Sequence, residues 1–168
     1  MKVRFARFAV LLAAVIAVAT VCLLKTRAPT FNDRAKKVLE NATRIEVFRI
    51  SRDAQIDPKL GSVAVTEYGQ LPIIGSASID QDQKTRILAV LRDRNTFARP
   101  FTKRCGFDPG VVFRIWSGNE SVDALVCLTC GEIRMDSLRA QMDANRAEIV
   151  RIAKSAFPDD RDIHGVRD

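Results

Sequence analysis

Three of the four cysteines fall in one stretch, CGFDPGVVFRIWSGNESVDALVCLTC, which runs from Cys105 to Cys130. Cys127 and Cys130 form a C-x-x-C pair, the spacing of thiol–disulfide oxidoreductases and of half a zinc site. Redox catalysis needs the first cysteine at a helix N-terminus, where the helix dipole favours the thiolate. Here Cys127 closes a strand-like run, Gly131-Glu132-Ile133 continues it, and no aromatic immediately precedes the motif. A zinc site would have to join Cys105, Cys127 and Cys130 to the single histidine, His164, which lies far along in a polar tail. Any Ser-His-Asp or Cys-His arrangement would depend on the same histidine. Asp159, Asp160 and Asp162 read as a solvated acidic tail rather than a cation site. The sequence therefore suggests no catalytic residue, no metal and no cofactor, and the three cysteines are disulfide candidates.

Spacing limits which cysteines can meet. Val111–Ser117 and the run from 122 to 128 are β-branched and aromatic, with Gly118-Asn119 between them as a two-residue turn. Pairing Ser117 with Glu120 sets Phe113 opposite Ala124 and Ile115 opposite Val122, which makes one apolar face. The other face mixes Val112, Arg114 and Trp116 with Asp123, Leu125 and Cys127, and Arg114 can pair with Asp123. In this register Cys127 opposes Gly110 and Cys130 opposes Phe107. An extended C-x-x-C would hold its two Cα atoms about 10 Å apart, beyond the roughly 7 Å a disulfide allows, unless Leu128-Thr129 turns. The expected bond runs from Cys105, to Cys130 first and to Cys127 second, leaving one free thiol. Closing that loop is worth roughly 3–4 kcal/mol in the chain-entropy model.

The elements around this stretch follow from periodicity and turn residues. A short helix is expected over 31–42 and strands over 44–50, 62–68 and 73–77, with a turn at 69–72. A helix over 80–93, capped by Ser78 or Asp80, precedes a loop around Pro100. Leu138, Met142, Ile149, Ile152, Ala153 and Phe157 recur at helical spacing, which predicts a last helix over 138–157 that ends at Pro158.

The N-terminus is of another kind. Lys2, Arg4 and Arg7 precede seventeen uncharged residues, FAVLLAAVIAVATVCLL, and Lys25 and Arg27 follow. This pattern is a signal segment or membrane anchor. Cleavage after Ala19 fits the small-x-small rule, but Val21, Cys22, Leu23 and Leu24 prolong the apolar run, so an uncleaved anchor is the preferred reading. The basic residues before the run place the N-terminus in the cytoplasm and the domain outside. The five basic residues of 1–27 account for most of the formal charge of +7: after residue 27 the chain has 22 basic against 20 acidic residues. That near-balance argues against nucleic-acid binding.

The segments Lys103-Arg104-Cys105, Pro109-Gly110-Val111-Val112-Phe113-Arg114, the C-x-x-C at 127–130 and the ending Ala156-Phe157-Pro158-Asp159-Asp160 together resemble a group of small uncharacterised exported bacterial proteins. The resemblance covers about residues 80–163. It implies an exported α+β domain and carries no assigned activity. The expected organisation is an anchor or signal at 1–27, a linker and short helix at 28–43, an α+β domain at 44–157 with a small antiparallel sheet packed by helices, and a polar tail at 158–168. The expected function is a membrane-tethered, extracytoplasmic binding or interaction domain with a protein partner in the cell envelope. An envelope thiol–disulfide oxidoreductase using Cys127 and Cys130 is the alternative. A reporter active only in the cytoplasm, fused after Asp168, is expected to be silent, and activity there would reverse the topology.

Overall fold

The computed structural model describes residues 31–97 and 105–167. Seven strands form one antiparallel sheet: β1 (Arg44–Ile50), β2 (Ser62–Val65), β3 (Gly69–Ser78), β4 (Val111–Ser117), β5 (Glu120–Cys127), β6 (Glu132–Met135) and β7 (Leu138–Gln141). Their order across the sheet is β2-β3-β1-β4-β5-β6-β7. Four helices accompany them: α1 (Asp33–Glu40), α2 (Gln81–Arg92), α3 (Arg146–Ala156) and α4 (Arg161–His164). The expectation of a small sheet packed by helices is corrected. The domain is dominated by its sheet, which curls into an antiparallel half-barrel, and the helices are few and short. The expected membrane segment at 1–27 lies outside the described residues. Among those described, no helix is long and apolar enough to cross a membrane.

The stretch 138–157 accounts for most of the difference. Met135 pairs with Leu138 across a two-residue turn in which Asp136 takes φ 56°, a left-handed conformation that aspartate tolerates. Asp136-Ser137 is thus a hairpin turn. Leu138, Ala140 and Met142 are buried while Arg139 is exposed, so this piece follows the two-residue period of a strand. Leu138, Met142 and Ile149 satisfy the helical period as well, and the turn chemistry decides between them. The helix begins only at Arg146.

The β2–β3 hairpin is shifted in the same manner. The strand expected to reach Tyr68 stops at Val65, and Gly69 to Pro72, expected as the turn, belong to β3. The reversal falls on 66–68, closed by Tyr68 N–H to Val65 O at 3.0 Å, with Gly69 at φ 72°. Other expectations match. β1 covers 44–50, and the β4–β5 register pairs Ser117 with Glu120 and Phe113 with Ala124. Of the two turn residues only Gly118 takes positive φ, as in the turn type that places glycine first. α2 starts at a capping box. Asp80 Oδ1 accepts from Gln83 N–H at 2.7 Å, and Gln83 Oε1 accepts from Asp80 N–H at 3.0 Å.

Two apolar cores result, one on each face of the sheet. On the first, Val47, Phe113, Ile115, Ala124, Val126 and Ile133 meet Val38 and Leu39 of α1, Ile87 and Leu91 of α2, and Ile149 and Ile152 of α3. On the second, the β2–β3 hairpin curls back, so that Val63, Val65, Leu71 and Ile73 pack with Ile50, Phe107, Val112 and Cys127.

The tail expected to be loose is docked. Ile163 of α4 is 2% exposed. Asp160 caps α4, accepting from the N–H groups of Asp162 and Ile163. Arg49 Nε donates to Asp160 Oδ2 at 2.6 Å, and Arg49 Nη1 donates to the carbonyls of Ile50 (2.7 Å) and Gly110 (3.1 Å). Burial works to raise the Asp160 pKa, but the bonds from Arg49 and from the two backbone N–H groups outweigh it. The carboxyl lies below its ordinary value of 3.8. A depressed native pKa stabilises the contact above that ordinary value, and the stabilisation is lost as pH falls through the native one. Amide protection at 161–164, relative to the intrinsic rate at the same pH, is therefore expected to fall when the protein is acidified below about pH 3.8. Asp160→Asn should already exchange faster at neutral pH and show little further change on acidification. Equal protection in both proteins at neutral pH would show that this contact does not hold α4.

Candidate functional site

The structure brings Cys105 and Cys130 together, with Cα atoms 6.5 Å apart, inside the span of a disulfide. Cys130 does not lie on an extended strand opposite Phe107, as the simple register supposed. The chain turns after Cys127. Gly131 N–H bonds Cys127 O at 3.0 Å, and Gly131 takes φ 67°. The C-x-x-C therefore straddles the β5–β6 turn, and Cys130 N–H points at Cys127 Sγ at 3.4 Å. Cys127 is a free thiol, 1% exposed, in the second core. It ends a strand and has no helix N-terminus behind it, so the geometry lends little to a catalytic dithiol.

Beside this turn lies a group for which the sequence carries no signal. Glu132, opposite Cys127 in the β5–β6 ladder, is a carboxylate with 0% exposure. Its Oε1 accepts from Arg134 Nε at 2.6 Å and from Arg139 Nε at 2.5 Å, and its Oε2 accepts from Arg139 Nη2 at 3.3 Å. Arg134 also pairs with Glu67 in the β2–β3 turn, and its guanidinium stands 3.7 Å from the Phe107 ring centroid. Tyr68 O–H donates to Phe107 O at 2.6 Å. Burial opposes the charge on Arg134, but the bonds to Glu67 and Glu132 raise its pKa further. The Arg134 bond holds the Glu67 carboxyl below its ordinary range.

A third cluster occupies the part of the second face that the β2–β3 hairpin leaves uncovered. Arg114 Nε and Nη2 bind both oxygens of Asp123 at 2.7 and 2.8 Å, the cross-strand pair read from the sequence, and that bond raises the Arg114 pKa. Its guanidinium lies 5.1 Å from the Phe48 ring. Trp116 Nε1 donates to Glu46 Oε2 at 2.7 Å, and Arg44 stands 4.8 Å over the indole. Phe48, Trp116 and Leu125 are half-buried. A separate cleft of about 390 Å³ lies between β1, the 108–110 segment and α4. Of its charged groups, Arg49 pairs with Asp162 and with the neighbouring Asp160, and Arg52 pairs with Asp108.

His164 sits exposed on α4. Among the described residues, no group of three His, Cys, Asp or Glu side chains could hold a metal ion. Alternation along β4 does place Trp116 and Arg114 on one face. Nothing in Glu132-Ile133-Arg134-Met135 marks Glu132 as buried, because its partners come from β7 and from its own strand. No protein-family model, curated protein or solved structure matches the chain.

Removing one partner of a buried, bonded charge leaves the others unpaired. Glu132→Ala is expected to cost about 3–5 kcal/mol. Glu67→Ala, at a carboxylate 43% exposed, should cost less than about 1 kcal/mol. Urea unfolding of the two variants separates these values, and equal losses would show that burial of Glu132 contributes nothing.

Proposed function

We propose that this chain is an extracytoplasmic binding domain, held at the membrane by its N-terminal segment and without catalytic chemistry of its own. The observation that carries this reading is the pre-ordered aromatic and cationic surface on β1, β4 and β5. Trp116 and Arg114 are each fixed by a carboxylate on a neighbouring strand before any partner arrives. Aromatic residues and arginine supply much of the energy of protein interfaces, and side chains already held in place lose less freedom on binding. The partner we favour is an envelope protein presenting an acidic segment with an apolar or aromatic residue. Glu46 and Asp123 are already bonded, and Arg44, although Nη1 stands 3.6 Å from Glu46 Oε1, keeps a side chain that is 59% exposed. Two further cations gather at this end of the sheet. Arg34 Nη2 donates to Ser121 O at 3.0 Å, and Lys84 Nζ donates to Thr43 O at 2.6 Å. Thr43 N–H in turn bonds Trp116 O at 2.8 Å.

Trp116 is the single tryptophan of the chain, so its fluorescence reports on this surface directly. Titration with a Phe-containing, Asp/Glu-rich peptide is expected to shift that emission saturably. The same peptide with Lys in place of every acid should leave it unchanged. Arg44→Glu is expected to weaken the response to the acidic peptide about tenfold, the equivalent of roughly 1.4 kcal/mol. An equal response to both peptides, or none to either, would overturn the reading.

A further inference from the structure

Because the C-x-x-C lies on a turn and not on a strand, Cys130 has two sulfur neighbours. On one side is Cys105, with Cα atoms 6.5 Å apart. On the other is Cys127, toward which the chain doubles back: Gly131 N–H bonds Cys127 O, and Cys130 N–H reaches Cys127 Sγ at 3.4 Å. The i→i+4 bond folds residues 127–131 into one turn, and the approach of Cys130 N–H to Cys127 Sγ places the two cysteines side by side on it. Cys127 is sealed in the second core with Ile50, Phe107 and Val112. At 1% exposure it is screened from external thiols and oxidants, so the sulfur it can react with must already be inside.

We propose that Cys127 is the resident attacking thiol of an internal exchange that moves Cys130 from Cys105 to Cys127. As the β5–β6 turn opens to water, Cys127 loses its proton, and its thiolate forms a bond to Cys130 Sγ. The Cys130–Cys105 bond breaks, and Cys105 leaves as a thiolate that takes up a proton. One disulfide and one thiol stand on each side of the step, so no oxidant or reductant is consumed. The exchange turns a sealed thiol into one at Cys105, which is half-buried and accessible to a thiol or disulfide of another molecule. It also changes what the bond ties. Cys105–Cys130 fastens the segment leading into β4 to the β5–β6 turn, whereas Cys127–Cys130 closes the turn on itself. Phe107 stays in the core through its own packing and the Tyr68 bond, so the fold survives the change.

The test uses the full chain in detergent with Cys22→Ser, oxidised, with no thiol added. Samples held at about pH 6 and about pH 8.5 are acid-quenched, alkylated and mapped without reduction, because the rate follows the thiolate fraction. A peptide joining Cys127 to Cys130, together with alkylated Cys105, is expected to accumulate faster at the higher pH. If every chain still carries Cys105–Cys130 with only Cys127 alkylated after a day at both pH values, the exchange does not occur. Cys105→Ser gives a second reading. Oxidised with diamide, it is expected to join Cys127 to Cys130 with its circular dichroism unchanged. Two free thiols in the folded variant would overturn the proposal independently.

Discussion

A carboxylate with no solvent contact is costly unless every oxygen finds a donor, and Glu132 meets that demand with two arginines. One of those arginines also reaches across the curled sheet. Arg134, once bound to Glu132, extends to Glu67 in the β2–β3 turn. In a flat sheet β2 and β6 would stand five strand spacings apart, about 24 Å at ~4.8 Å each. Their side chains meet here, so the sheet has to curl until its first hairpin lies over its fifth and sixth strands. The second core forms inside that curl. Phe107 lies under the Arg134 guanidinium and receives the Tyr68 hydroxyl on its carbonyl, so the same contact point gathers the β2–β3 hairpin, the segment before β4, and β6.

The curl divides the second face into two unequal environments. Where the hairpin covers it, Ile50, Val112 and Cys127 are sealed. Beyond the hairpin's reach, the same strands present Phe48, Arg114, Trp116 and Leu125 half-buried. The surface we assign to binding is thus what remains when a curled hairpin is too short to close a barrel. Its side chains stay ordered because each charged or indole group is matched across a strand pair. Arg114 faces Asp123 in the β4–β5 register, and Trp116 bonds Glu46 from the neighbouring β1. Helices α1, α2 and α3 meanwhile occupy the first face, so the binding surface and the main core lie on opposite sides of the same strands.

What could be read from the sequence was local. The β4–β5 hairpin, its register and the Arg114–Asp123 pair follow from alternation and a glycine at one turn position. The sequence narrows the α2 cap to Ser78 or Asp80, and Asp80 supplies it. Ambiguity entered where one set of residues satisfies two periods. Leu138, Met142 and Ile149 suit a helix, but Leu138, Ala140 and Met142 also suit a strand, and the decision rested on Asp136 accepting a left-handed turn. Long-range charge pairing left no local trace. Asp160 in a polar tail looked solvated because its partner, Arg49, lies 111 positions earlier. Glu132 carried no local sign of its burial.

The cysteines show how such a local error propagates. Placing Cys127 and Cys130 on one extended strand puts them too far apart to react unless Leu128-Thr129 turns, and makes Cys105 the easier partner for either. The turn at Gly131 changes the premise. It brings Cys130 back over Cys127, so the same motif can be bonded outward to the segment before β4 or inward across its own turn. The turn occurs there because β6 must start at Glu132, opposite Cys127 and within reach of Arg139. The position that buries the carboxylate therefore also sets the separation of the two sulfurs. A change that loosens Glu132 would act on the sulfur geometry and on the curl together, since all of them meet at the β5–β6 turn.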